Sequence, residues 1–230
     1  MKIHGFQKMT LLDFPGKVAC TVFTGGCNLR CPFCHNASLV TDIDGETEIK
    51  KESILDFLSK RHGLLDGVAI TGGEPLLQSD IVEFISEIKK MRFSVKLDTN
   101  GTFPQKLKSL VNNKLVDYVA MDIKNSPEKY AYTSGLSEFD FSKVKESIDF
   151  LLEGKVDFEF RTTVVKEFHN IEDFTEIGKL INGAPRYFLQ NFVDSGNLIG
   201  ENLHPVSKQE LEKIREKISP FIKNVEIRGI

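Results

Sequence analysis

Short runs of β-branched and aromatic residues alternate along the chain with longer segments whose apolar positions recur every three or four residues. The runs are VACTVFT (18–24), GVAIT (67–71), FSVKLD (93–98), DYVAMD (117–122), VDFEFRTTVV (156–165) and RYFLQNF (186–192). Their composition and length predict strands. Helical periodicity marks 48–61, 80–91, 104–112, 140–153, 171–182 and 207–219. Within 80–91, Ile81, Phe84, Ile85 and Ile88 fall three, four and seven apart behind Asp80 at the N-cap position, the pattern of an amphipathic helix packed on a sheet.

Six strand–helix units in succession predict parallel strands with right-handed crossovers, hence an α/β fold. An open doubly wound sheet and a barrel both satisfy that pattern. The chemically suggestive residues favour the barrel, because they gather at strand carboxyl ends. These are Thr24-Gly25-Gly26-Cys27, Thr71-Gly72-Gly73-Glu74-Pro75, Asp98-Thr99-Asn100-Gly101, Asp122 and Lys124, Arg161 late in the fifth strand, and Gln190-Asn191. Barrel strand ends converge on one mouth, whereas an open sheet spreads them along an edge. Six units rather than eight predict a partial TIM barrel, (β/α)6, in a single domain over 1–230. Its core runs from about 16 to 192, and 193–230 form a C-terminal loop and helix.

Length and charge narrow the partners. A chain of 230 residues, 40% hydrophobic and 27% charged, fits one core, and a net charge of −3 offers no basic surface for nucleic acid or anionic lipid. No apolar run nears the ~18 residues a spanning helix needs, so no membrane contact is expected. Nor does the amino terminus carry the apolar stretch of a signal peptide. A cytoplasmic location follows as the expectation. Of four cysteines, three crowd into GGCNLRCPFCHN (25–36), which points to metal or redox chemistry rather than a disulfide framework.

Cys27, Cys31 and Cys34 admit two metal readings. A zinc knuckle would recruit His35 as a fourth ligand, yet structural zinc usually joins two separated ligand pairs, and here every candidate sits in one loop. Thiolates also select iron–sulfur clusters, where three cysteines would leave one iron of a four-iron cubane open. Cys20, alone in mid-strand, reads as a buried inert thiol.

The three-cysteine spacing after the first strand, with GGEP at 72–75 closing the second, resembles the radical S-adenosylmethionine (SAM) superfamily. The resemblance implies a [4Fe–4S] cluster on Cys27, Cys31 and Cys34. Its open iron chelates the amino and carboxylate groups of SAM, and reductive cleavage yields methionine and a 5′-deoxyadenosyl radical. By the same resemblance Phe33 stands next to the adenine. Gly72 and Gly73 let the backbone approach a ligand, and Glu74 becomes the acceptor for the methionine amino group.

The wider stretch LLDFPGKVACTVFTGGCNLRCPFCHN is similar to the activating enzymes of glycyl radical enzymes. It is most like the compact, single-cluster activating proteins of anaerobic ribonucleoside-triphosphate reductase, with the resemblance running from about Phe6 to Phe192. This implies a glycyl radical enzyme as protein substrate and flavodoxin or ferredoxin as electron donor. LDTNG (97–101) and MDIK (121–124) match positions where Asp98, Thr99 and Asp122 would surround a monovalent cation near the SAM carboxylate, with Lys124 beside it. The alternative is that the two aspartates are solvated loop acids. Lys124 and Arg161 are expected to neutralise the cofactor carboxylate or its ribose side, and Asp13 to touch the incoming glycine loop. His35 and Asn36 read as loop-capping groups. Two competitors remain: a small-molecule radical enzyme resembling the 7-carboxy-7-deazaguanine synthases, which carry Asp-Thr where this chain has His35-Asn36, and a non-catalytic zinc-binding module. Gln190-Asn191-Phe192 stands where the formate-lyase activases carry a cofactor-touching histidine. The Gly/Asn-rich stretch 194–206 reads as a lid or partner surface.

Overall fold

All six predicted strands form, and they are buried on both sides because each alternates between a face packed against helices and a face turned into the sheet's concavity. In the computed structural model, which describes residues 1–42 and 48–229, they are β2 (Ala19–Thr24), β3 (Gly67–Gly72), β4 (Ser94–Thr99), β5 (Tyr118–Asp122), β6 (Asp157–Val164) and β7 (Tyr187–Asn191). All six pair in parallel with their sequence neighbours. Residue 230, the last of the predicted stretch 193–230, lies outside the described residues.

Two further strands widen the sheet to eight in the order β1 to β8. β1 (Ile3–Thr10) pairs antiparallel with β2, its register broken by two irregularities, and β8 (Val225–Arg228) pairs parallel with β7. The sheet therefore reaches past the predicted barrel, 16–192, at both ends. Among the described residues β1 and β8 do not pair with each other, so the barrel is partial, as expected.

The helices are α1 (Ser38–Thr41), whose Leu39 carbonyl accepts from Gly26 N–H, α2 (Lys51–Ser59), α3 (Ile81–Lys90), α4 (Pro104–Asn112), α5 (Tyr130–Thr133), α6 (Phe141–Leu152), α7 (Ile171–Leu180) and α8 (Lys208–Ile218). α3 buries Ile81, Phe84, Ile85 and Ile88, the four residues its periodicity singled out. Each buried side chain of this size contributes roughly 1.5–3 kcal/mol. Asp80 holds the N-cap position without capping, because its carboxylate accepts from the Met1 ammonium instead (2.8 Å). α7 and α8 start on full capping boxes, Asn170 with Asp173 and Ser207 with Glu210.

The alternation along the strands places the site. Val95 and Leu97 of β4, Val119 and Met121 of β5, and Phe158 and Phe160 of β6 join the main apolar core. The intervening Lys96, Asp98, Asp122 and Arg161 consequently share the opposite face. A row of charged groups is thereby assembled from three strands. Among the described residues, no helix is long and apolar enough to cross a membrane.

Candidate active site

The carboxyl ends of β2 to β7 surround one cavity of about 470 Å³, within the range of small-ligand pockets. Its wall includes Cys27, Cys31, Phe33 and Cys34 after β2, Gly72 and Gly73 after β3, and Asp98 and Thr99 of β4. Asp122 and Lys124 follow from β5, Arg161 and Thr163 from β6, Gln190 from β7, and Asp13 from the β1–β2 connection. Every predicted site residue except Glu74 lines it.

The cysteine loop is bolted to the loop after β3. Glu74 N–H donates to Gly26 O and Gly73 N–H to Thr24 O, each at 2.8 Å. Asn36 Nδ2 donates to Gly72 O (3.2 Å), so Asn36 ties the two loops together rather than only capping its own. Gly73 approaches so closely that a Cβ there would sit 2.0 Å from Gly26 O, and Gly72 adopts φ +110°, outside the reach of most side chains. Behind the loop, Leu29, Cys31 and Phe33 pack with Val165, Phe168 and Phe192 as a second apolar cluster, which Leu198 and Leu203 cover. Gly200 N–H donates to Pro32 O (2.8 Å), and Asn191 clasps both the N–H and the carbonyl of Val206. The stretch 194–206 is thus seated on the cysteine loop. Phe33 stands against Phe168, ring centroids 5.6 Å apart, and His35 lies tilted on Phe192 at 5.8 Å.

Burial dominates the thiols. It pushes Cys27 up to about 11 and Cys31 up to about 12, with Lys124 the main cation opposing it at Cys31, and it raises Cys34 as well. Such thiols become thiolates only when a metal compensates the charge. Among the described residues, no three His, Cys, Asp or Glu side chains converge on a point as a single ion requires. A zinc knuckle needs that convergence. A cubane takes one iron per cysteine, and all three cysteines line the cavity. The donor set fits a [4Fe–4S] cluster.

Glu74, the expected amino-group acceptor, is absent from the cavity lining. It is fully buried behind the wall, and its carboxylate already receives three donors: Leu76 N–H (3.0 Å), Thr99 Oγ1–H (2.9 Å) and Asn100 N–H (2.7 Å). It braces the β3 loop against the β4 loop. Burial outweighs the three donors and pushes Glu74 up to about 7.

Asp98 and Asp122, the pair expected around a cation, are surrounded by basic side chains. Between Asp98 and Asp122 stands the Arg161 guanidinium, with Nη1 at 3.1 Å from Asp98 Oδ2 and Nε at 2.9 Å from Asp122 Oδ1. Lys96 pairs with the other oxygen of Asp98, and Lys124 Nζ reaches Asp122 Oδ2 at 3.0 Å. The Arg161 guanidinium contacts both carboxylates, and Thr99 Oγ1–H donates to Glu74. Asp98 and Asp122 are therefore paired groups and not solvated loop acids. Burial works against their ionisation, yet Arg161 with Lys96 or Lys124 outweighs it and holds both below the usual carboxylate range. Of these groups Asp98, Asp122, Lys124 and Arg161 line the cavity and Lys96 does not, and Glu159 adds a further carboxylate acting on Arg161.

Thr163 and His169 were missed, whereas Asn100 and Gln190 were marked only as strand-end residues with no contacts assigned. Asn100, Thr163 and Gln190 line the cavity, and His169 accepts from Val165 N–H (3.1 Å) while Nε2 meets Lys124 O (2.8 Å), bracing the Lys124 backbone. Asn100 stood inside a motif already singled out, so its position was visible and its contacts were not. Cys20 is buried as expected, away from the cavity, and burial pushes it up to about 12.

The sequence profile of the Radical SAM superfamily matches residues 21–181. A Methanocaldococcus jannaschii protein, provisionally named a glycyl-radical enzyme activating enzyme, is 33% identical over 236 residues, covering 99% of this chain and 96% of that one. The pyruvate formate-lyase-activating enzyme of Clostridium pasteurianum is 25% identical over 244 residues, 97% of this chain and 98% of that one. Among solved structures, Streptococcus suis SuiB bound to S-adenosylmethionine superposes with a TM-score of 0.68 at 14% identity, over 90% of this chain. At that identity the likeness concerns the fold, and this chain spans 49% of the length of SuiB.

Proposed function

The chain belongs to the radical SAM superfamily, and from that premise we propose that it is the activating enzyme of a glycyl radical enzyme. A [4Fe–4S] cluster on Cys27, Cys31 and Cys34 supplies, when bound, the electron that cleaves SAM to methionine and a 5′-deoxyadenosyl radical. The observation that carries the reading is the convergence of six strand ends on one cavity lined by the three cysteines and by Lys124 and Arg161. Those two cations suit the SAM carboxylate. Phe33 offers a flat apolar face to the adenine. The backbone at Gly72 and Gly73, rather than the Glu74 side chain, offers the methionine amino group its close approach. Asp13, held by Thr21 Oγ1–H, stands at the cavity rim where a glycine loop would enter.

The near end-to-end match to the M. jannaschii relative supports a protein glycine as the hydrogen donor. Its α-carbon lies between two amides and yields a stabilised radical. The finer proposal is an anaerobic ribonucleoside-triphosphate reductase as partner. It is supported by the chain's four cysteines, which leave no ligands for additional clusters. A reduced flavodoxin or ferredoxin in the cytoplasm completes the reading. The test incubates reduced, reconstituted protein with SAM and candidate glycyl radical enzymes of the same genome. A glycine-centred EPR doublet is expected on one of them. Release of 5′-deoxyadenosine with no doublet on any candidate would overturn the activase reading while leaving the cofactor assignment standing.

A further inference from the structure

Asn100 sits in the turn after β4 with its amide held in a single orientation. Oδ1 accepts from Thr102 N–H (3.0 Å) and Thr102 Oγ1–H (2.6 Å). A backbone N–H can only donate, so the atom facing it must be the oxygen, and the NH2 must point the other way. There it meets Asn28 Oδ1 (3.0 Å) and Cys27 Sγ (3.8 Å). Asn28 closes the ring by donating Nδ2–H to Thr102 Oγ1 (2.9 Å), and the Asn100 backbone N–H is anchored on Glu74 Oε2 (2.7 Å). Three side chains from two loops thus lock one another, and the one donor left over is aimed at a cysteine sulfur. The backbone N–H of Leu29 is the second donor to that sulfur (3.4 Å).

We propose that Asn100 is a positioning residue that sets the reduction potential of the cluster, its side-chain N–H stabilising negative charge on Cys27 Sγ. The proposal rests on Cys27 being a cluster ligand, as the proposed function has it. Uptake of one electron from an external donor breaks no bond; it adds one negative charge, part of which falls on the ligand sulfurs. A donor already aimed at a sulfur favours the more negative state and raises the potential. Orientation matters as much as proximity. An amide free to rotate would present its oxygen half the time, and the Asn28–Thr102–Asn100 ring prevents this.

The experiment compares the reconstituted full chain with N100A and N100L, the second nearly isosteric, and neither able to donate. Iron content is measured first, then the midpoint potential by EPR-monitored reductive titration. At wild-type iron content, the reduced-to-oxidised ratio at a fixed ambient potential is expected to fall about tenfold in both variants, a shift of about 59 mV to more negative potential for a one-electron couple. An unchanged potential in either cluster-loaded variant overturns the proposal. A second measurement needs no variant: wild type labelled with ¹⁵N-asparagine and reduced should show a ¹⁵N hyperfine coupling in pulsed EPR, and its absence overturns the proposal equally. A wild type that assembles no cluster would instead sink the reading of the three cysteines, and this inference with it.

Discussion

Replacing Glu74 with Gln isolates the energetics of a buried carboxylate that no cation touches. In the folded chain burial raises Glu74 from an ordinary 4.5 to about 7, against the pull of three hydrogen-bond donors. The folded value lies above the unfolded one, so the folded state holds the proton more tightly. The stabilising contribution of that proton is therefore complete below about 4.5 and is lost as pH rises to about 7. At ~1.4 kcal/mol for each tenfold in proton affinity, the loss amounts to ~3 kcal/mol. Glutamine does not titrate. Its amide must turn an NH2 toward one of the three donors, which costs about 1–3 kcal/mol at every pH. Urea unfolding of cluster-free wild type and E74Q, under reductant at pH 5 and at pH 8, reads the difference directly. E74Q should be the less stable protein at pH 5, and the gap should move by ~3 kcal/mol in its favour at pH 8. A gap that stays constant would mean that the three donors outweigh burial and that the carboxylate is ionised throughout, refuting the balance drawn above.

Other substitutions probe the site from different sides. Cys31→Ala should abolish iron incorporation and 5′-deoxyadenosine release, whereas Cys20→Ala, deep in β2, should keep the wild-type iron-to-protein ratio; equal iron loss in both would contradict the division between ligand and core thiol. Arg161→Gln strands Asp98 and Asp122 with fewer cations, so calorimetry should show weaker SAM binding. Stability should fall by up to roughly 3–5 kcal/mol, discounted for the partial exposure of the three side chains. Because both carboxylates are held below their ordinary values in the wild type, that penalty should be largest above the ordinary aspartate range and shrink as acid protonates them; a penalty that grew in acid would reverse the assigned sign. Gly73→Ala places a methyl against Gly26 O and should lower cluster occupancy even where the chain folds, measured as iron per protein after reconstitution.

What the sequence disclosed depended on whether a signal was local. The six inner strands were legible because each is a short run rich in β-branched and aromatic residues. α3 was legible because one helical face carries all its large apolar residues. β1 escaped because an edge strand with a Gly, an irregular register and three consecutive exposed residues, Gln7, Lys8 and Met9, has no clean alternation, and β8 is only four residues long. The site's membership was legible from strand ends, and its wiring was not. Nothing in GGEP says that Glu74 folds back beneath the wall. Nothing in the spacing of Asp98, Asp122 and Arg161 says that the guanidinium bridges the carboxylates. Those facts belong to side-chain directions fixed across sequence separations of 39 and 63 residues.

The sheet order β1 to β8 has a consequence for how the protein is made. Every strand pairs with the one synthesised next to it, so the sheet can grow in the order in which it leaves the ribosome. The cysteine loop emerges with the second strand, roughly 150 residues ahead of the end of β7, an interval on the order of ten seconds at ordinary elongation rates. For that time the three thiols sit on an unfinished wall without the Phe168, Phe192 and 194–206 cover that later shields them. The same nascent chain is then open to iron delivery and to oxidation alike.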